Sequence, residues 1–424
     1  MSEWKEYKLG ELYNVSSGLS KAADQFGFGF TFISFKDVFW NYFIPENPDG
    51  LVNSNDKEQR TCNVSRGDIL LTRTSESLEE VGMASVALKD YPNSTFNGFS
   101  KRLRLKDDAP IEVSPLFMGY LLRTRFFRKS VANYATMTTR ASLNGDSIKS
   151  IPLFFPPYDL QNEIGKTLYS LDKKITLLRQ QNQTLEELAQ TLFKRWFVEF
   201  EFPNEKGKPY KSSGGLMVES ELGEIPEGWR VGEVKDFISK YNTGADAIQK
   251  APMVEENTGI RCLRIGDLSN SRDYSQWGFT KITPAHFKQY QLLKYDIVIT
   301  RTSLLGLAHI VLEDLNAVFN NGSIRIRPNN GYSLYLYSWL KSSDFRNHIS
   351  KITNETSTRP NMKMDYLLIY NVLDIPQSVL DSYTDLYGAF LLKQDKNLKE
   401  IQTLTQLRDT LLPKLMSGEL RVEH

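Results

Sequence analysis

Between Leu160 and Trp196 the chain carries a heptad stripe uninterrupted by Pro or Gly after Gly165. Apolar residues fall at Leu168, Leu171, Ile175, Leu178, Leu185, Ala189, Leu192 and Trp196, in steps of three and four, with Asn182 as the one polar member. That spacing lays a narrow apolar face along a helix, and a free helix would leave it in water, so a partner helix is required. A second stripe answers it near the other end of the chain. Tyr387, Phe390, Ile401, Leu404, Leu411 and Leu415 keep the same spacing, with Gln394, Asn397 and Arg408 at polar points. Leu185 and Leu404 are 219 positions apart, and Thr191-Leu192 recurs as Thr410-Leu411 at that offset. The two segments read as copies of one element. The predicted seam holds Leu171, Ile175, Leu178, Leu185 and Leu192 of the first copy, and Ile401, Leu404, Leu411 and Leu415 of the second.

The copying extends beyond the helices. WKEYKLGEL, opening the first half, is answered by WRVGEVKDF, with Trp4 and Trp229 at an offset of 225. FTFISFKDV answers IRCLRIGDL, aligning Asp37 with Asp267; GDILLTRTS answers YDIVITRTS; FNGFSKRLRL answers FNNGSIRIRP. FFR pairs with DFR, and Arg140 with Arg359. Offsets that wander and then settle at 219 through the helices describe an internal duplication with loops of different length.

Within each half the pattern is mixed. ILLT and IVIT are short apolar runs that predict buried strands. KRLRL and IRIRP alternate, which predicts half-exposed strands with Arg on one face. PLFMGYLLRTRFFRKSVA and YLYSWLKSSDFRNHI predict amphipathic helices. FGFGFTF, with Phe at every second position, predicts a strand face packed in a core; a patch for stacking on bases is the alternative. The fold class is therefore α+β: a first domain over 1–157, the central long helix over 158–200, a Gly-, Pro-, Ser- and Glu-rich linker over 201–228, a second domain over 229–378 and the C-terminal long helix over 379–424.

With 424 residues and 40% hydrophobic content, the chain can bury two or three cores. No apolar run reaches membrane-spanning length, and MSEWKEYKLGEL lacks an apolar signal core, so no export is expected. Cys62 and Cys262 lie far apart, without metal-ligand spacing. A reducing cytoplasm is expected, and no metal site. Net charge is +1, but basic residues cluster locally from Lys101 to Arg140, and a local basic face can bind phosphate when the total is near zero.

Enzyme motifs are missing. FPPY at 155–158 has Phe155 where an amino-methyltransferase needs Asp or Asn to hold the target amine; here the two prolines serve as a break ahead of the helix. There is no glycine-rich nucleotide loop, no Walker lysine, no clustered nuclease carboxylates and no Ser-His-acid or Cys-His pairing. Together these absences favour a binding protein.

The residues GDILLTR and YDIVITR, the IPLFFPPYDLQNEI lead into the central helix, LFKRWF closing it, GEIPEGW opening the second half and the C-terminal LRDTLLPKLMSGELRV stand in an order that resembles the DNA-specificity subunits of type I restriction–modification systems. The resemblance covers nearly the whole chain. It implies two target-recognition domains, each reading half of a bipartite, asymmetric site in double-stranded DNA. It also implies an antiparallel coiled coil that separates them and docks two DNA-methylation subunits. Those subunits would bind S-adenosylmethionine and methylate adenine, and restriction/translocation subunits would complete the complex. This chain would be non-catalytic and would hold no cofactor. In one respect it departs from the family pattern: where a Gly often follows the Thr-Arg pair, Ser75 and Ser303 stand.

A helix from Leu168 to Trp196 is about 42 Å long at about 1.5 Å per residue, near the roughly 34–36 Å of one DNA turn. It suits a spacer that sets two domains about one turn apart. Contacts to phosphate would set register, and contacts to base edges would set sequence. The candidates are Arg73, Thr74, Ser75, Lys101, Arg102, Arg104 and Arg140 in the first domain, and Arg301, Thr302, Ser303, Arg325, Arg327 and Arg359 in the second. Since Arg73 and Arg301 are common to both halves, base readers are sought among differing residues such as Lys21, Asn41, Thr138 and Asn361. The near-neutral charge leaves a second reading open: a protein-interaction scaffold of two adaptor domains on a coiled coil.

Overall fold

The computed structural model describes residues 4–355 and 361–420, without side chains for 352–355. The chain divides into two units, Met1–Leu178 with Lys399–His424, and Arg179–Leu398.

In the first unit an antiparallel sheet runs in the order Tyr13–Ser17, Ser100–Leu105, Ile69–Thr72, Ala84–Val86. The ILLT strand is buried along its whole length, as its unbroken apolar run requires. A smaller sheet joins Phe32 and Ile33 in parallel to Thr95 and Phe96, and Lys5–Lys8 pairs antiparallel with Pro152–Phe155. The second unit repeats this. Its main sheet runs Ile238–Thr243, Ser323–Pro328, Ile297–Thr300, Ala308–Ile310. Arg261–Leu263 pairs in parallel with Ala317–Phe319, and Arg230–Glu233 pairs with Asn371–Asp374. The matched acids Asp37 and Asp267 do the same work in both units. Each carboxylate accepts the backbone N–H three residues earlier, from Ser34 at 2.8 Å and Arg264 at 3.0 Å, and so starts a short helix.

The long helices are Tyr158–Phe197 and Gln377–Met416, 40 residues each, and both ends of the second lie 219 positions after those of the first. The first begins immediately after Pro156-Pro157. In the first unit the helices run antiparallel: Asp172 pairs with Arg408 at 2.6 Å and Lys174 with Glu400 at 3.3 Å. Ile175, Leu178, Ile401 and Leu404 form the seam there. In the second unit the sense is again antiparallel, with Asn182 beside Gln394 and Asn397, and Trp196 against Tyr383. Of the other seam residues, Leu171 and Leu185 are half-buried. Leu192 packs on the core of the second unit, and Leu411 and Leu415 on that of the first. The ends of the stripes thus also pack on the domains, while their middles meet mainly each other.

Three expectations need correction. The helical stretch after residue 114 is two helices, Pro115–Leu121 and Arg125–Tyr134, the second capped where the Thr124 hydroxyl accepts the Phe127 N–H at 3.2 Å. Its counterpart splits into Tyr332–Lys341 and Ser343–Glu355, and the former is buried nearly all round rather than amphipathic. The 201–228 linker is packed structure: Phe202 stacks on Tyr210 and Trp229 at 4.7 and 4.9 Å, and Met217–Ser220 forms a hairpin with Gly223–Pro226. The alternating Phe run is not a core face. Phe26, Phe28 and Phe30 are 37%, 50% and 44% exposed, and only Phe32 is buried. Gly27 and Gly29, at φ 94° and 95°, let the chain arch outward, so that Phe26 and Phe30 both register on Val52.

Candidate nucleic-acid interface

The alternating basic strand was expected to offer its arginines to DNA. It is instead an inner strand of each main sheet, with Arg102 and Arg325 buried and Arg104 and Arg327 partly exposed. Arg104 places Nε and Nη2 on the two carboxylate oxygens of Asp68 at 2.8 and 2.5 Å. Arg327 does the same to Asp296 at 2.6 and 2.8 Å. Asp68 and Asp296 are buried, and each also accepts the backbone N–H three residues earlier, of Ser65 at 2.8 Å and Leu293 at 2.9 Å. Arg102 donates to Asn63 Oδ1 at 2.8 Å. Arg325, 0% exposed, donates to Asn242 Oδ1 at 2.6 Å and to the Gln291 carbonyl at 2.9 Å. Burial draws Arg102 and Arg325 below the ordinary guanidinium range, while the hydrogen bonds to Asp68 and Asp296 hold Arg104 and Arg327 above it. A phosphate would have to displace a buried carboxylate from Arg104 or Arg327, and Arg102 and Arg325 are themselves buried. These four are therefore structural, and leave the candidate interface.

The remaining first-unit candidates gather at one place. Arg73 is exposed; its backbone N–H donates to Phe99 O at 2.9 Å and its carbonyl accepts the Leu143 N–H at 2.8 Å. Thr74-Ser75 pairs with Ala141-Ser142, which pairs with Thr136-Met137, making a small three-stranded ribbon. The run Thr136–Arg140 is exposed throughout. Arg140 meets Glu76 at 2.9 Å, their side chains 65% and 76% exposed, and Ser75 donates to Glu80 at 2.8 Å. Lys101 lies across from Leu71 and donates to Ser17 Oγ at 2.6 Å. Burial, and then the charge of Arg73, push its ammonium below the usual lysine range.

The second unit keeps the backbone and alters the side chains. Arg301 donates its N–H to Gly322 O at 2.9 Å and accepts Met362 N–H at 2.8 Å, the counterparts of the Arg73 bonds. Its guanidinium, however, is turned onto Asn361 Oδ1, at 3.2 and 3.0 Å, and Thr302 bridges to Asn361. Ser303 stands at φ 64°, a left-handed position that favours Gly, whereas Ser75 lies in a strand. Arg359 lies outside the described residues. Lys21 is held by Glu58 at 2.9 Å, and Asn41 donates to Asp37 O at 3.0 Å and accepts from Arg123 at 2.6 Å. These two are engaged within their domain, while Thr138 is exposed in the ribbon. Phe99 and Trp40 are 60% and 73% exposed, and no pattern in the chain signals either exposure.

Residues 1–187 match the family model described as the type I restriction modification DNA specificity domain. The type I restriction enzyme MjaIX specificity subunit of Methanocaldococcus jannaschii is 27% identical over 98% of this chain and 92% of its own length. The HindI specificity subunit of Haemophilus influenzae is 25% identical over 99% and 100%. Over nearly its whole length the chain is similar to type I restriction enzyme specificity subunits. The fold agrees: the crystal structure of the S subunit from M. genitalium superposes with a TM-score of 0.65 at 15% identity, covering 97% of this chain and 96% of that one. The matched family region ends at residue 187, yet the second unit repeats the strand order of the first, so the duplication carries the same domain plan into the second half. Among the described residues no helix is long and apolar enough to cross a membrane.

Proposed function

We propose that this chain is the non-catalytic DNA-recognition subunit of a type I system. It reads a bipartite, asymmetric duplex target, one half-site per domain. The observation that carries the reading is that two domains share one inner framework, down to the Asp68–Arg104 and Asp296–Arg327 pairs, while their outer surfaces differ. A shared framework with divergent faces suits two readers of unlike sequences.

In the first domain Arg73 and Lys101 take phosphate and set register. The ribbon over 136–142 enters the major groove, which admits a two-stranded ribbon. Its Thr138 and Arg140, with Thr74 and Ser75, face base edges, and Glu76 leaves Arg140 on contact. In the second domain Arg301, oriented by Asn361, with Thr302 and Ser303, takes the corresponding place. The paired long helices space the half-sites and dock two methylation subunits, which supply S-adenosylmethionine and adenine methylation. Restriction/translocation subunits join through them, in the cytoplasm.

A methylome tests this. A host carrying the chain and its partner methylation gene should show a split motif, methylated on adenine in both halves, that disappears when this chain is deleted. No difference between the two methylomes, with the partner expressed and assembled, would favour the protein-scaffold reading.

A further inference from the structure

The duplication poses a problem of partner choice. Two similar 40-residue helices pair within one chain, so a second copy of the chain offers each helix a near-copy of itself. The seam differs at positions that decide between these partners.

In the second unit Asn182 and Gln394 exchange side-chain-to-backbone hydrogen bonds: Asn182 Nδ2 donates to Gln394 O at 3.3 Å, and Gln394 Nε2 to Asn182 O at 3.0 Å. Asn397, 0% exposed, donates to Asn182 Oδ1 at 2.8 Å. At the offset of 219 the counterparts of Asn182, Gln394 and Asn397 are Ile401, Ile175 and Leu178. Those three pack together, with Leu404, in the first unit. Each layer is thus uniform, and the two are opposite in kind. The ion pair follows the same rule. Asp172 binds Arg408 at 2.6 Å and accepts the Tyr120 hydroxyl at 2.7 Å, while the counterparts of Asp172 and Arg408 are Leu391 and Ala189, both buried in the second unit's core.

Pairing the central helix with its own copy would set Asn182 against Ile175 and Leu178, and Asp172 against Ala189. Pairing the C-terminal helix with its own copy would set Gln394 and Asn397 against Ile401, and Arg408 against Leu391. Each exchange buries polar or charged groups without partners. We propose that the Asn182–Gln394–Asn397 layer and the Asp172–Arg408 pair are an address: they direct each long helix to the unlike helix and reject pairing with its own copy from a second chain. A polar residue at a coiled-coil seam fixes register and partner in this way, at some loss of stability. The consequence for an asymmetric target rests on the DNA-reading proposal; the address does not.

The test uses the full chain, co-expressed with two tags, and reads mixed-tag assemblies by tandem purification and light scattering. The wild type should give essentially none. The triple variant N182I/Q394I/N397L, which makes both layers apolar, should give mixed-tag pairs that rise with concentration, by about tenfold or more over wild type. Its melting temperature should not be lower. Asn182→Ile alone should melt lower than the triple variant, because Gln394 and Asn397 lose their partner. Mixed-tag pairs in the wild type would overturn the proposal, as would a folded triple variant that forms none. A triple variant that fails to fold would overturn it too, since the layer would then hold the fold rather than choose the partner.

Discussion

The two domains agree where they are buried and differ where they are exposed. Asp68 with Arg104 and Asp296 with Arg327 repeat residue for residue, as do the backbone bonds of Arg73 and Arg301. Outside, Arg73 stands exposed beside a ribbon carrying Arg140, whereas Arg301 is tied to Asn361. Lys101 of the first domain has Ile324, fully buried, as its counterpart. The shared arginines of the inner strand, Arg102 with Arg325 and Arg104 with Arg327, thus belong to the fold. Readout is to be sought where the copies part company.

The inner agreement is open to the strongest test. Asp296→Ala leaves Arg325 and Arg327 without their carboxylate, Arg325 at 0% exposure. Breaking a buried pair in this way costs about 3–5 kcal/mol, so urea unfolding should show the second unit lost or nearly so. Asp68→Ala should cost less, because Arg104 is partly exposed. Equal losses at the two sites would break the comparison.

The helix seam is next. Leu178→Asp puts a charge at a position 1% exposed and should cost about 3 kcal/mol or more, abolishing assembly with the methylation subunits. Leu185→Asp, at the half-buried counterpart of Leu404 beside the polar layer, should do less. Surviving assembly in the Leu178 variant, followed by co-purification, would misplace the seam.

The outer differences make smaller predictions. Arg140→Ala should relax specificity at one base pair of one half-site, by about 1–3 kcal/mol. Lys101→Ala should weaken binding to every sequence and reduce the salt slope by about one. Both are read by salt-dependent binding of the assembled methylation complex to matched and mismatched duplexes. A change in both half-sites from Arg140→Ala would argue against separate readers.

The smallest effect is acid sensitivity. Burial pushes Glu186 up, but Lys341, at 2.5 Å, outweighs it, and the carboxyl sits below its ordinary value. A carboxyl lowered by folding stabilises the native state above its unfolded pKa and stops doing so as pH falls through its folded one. The contribution should therefore fade below about pH 4. Lys341→Met should remove this part of the acid dependence, about 1 kcal/mol or less, in an acid titration of unfolding.

Local patterns were legible wherever one physical cause dominated. The heptad stripes declared paired helices, and the polar points Asn182, Gln394, Asn397 and Arg408 are where the structure places its seam hydrogen bonds and ion pair. The ILLT and IVIT runs are buried strands. The duplication was visible because residues bound to the core resist change even when the loops between them do not. FGFGFTF was misread because periodicity assumes a regular strand, and two glycines at positive φ break it.

The duplicated α+β plan, the two helices and their polar points are readable from the order of residues, because they follow from spacing along the chain. Which charges face water is set by the packing of distant segments. An arginine on an alternating strand looks the same whether it meets a phosphate or a buried carboxylate. What separates Arg104 and Arg327 from Arg73 and Arg140 is Asp68 and Asp296, which lie 36 and 31 residues from their partners and are brought beneath them by strand pairing.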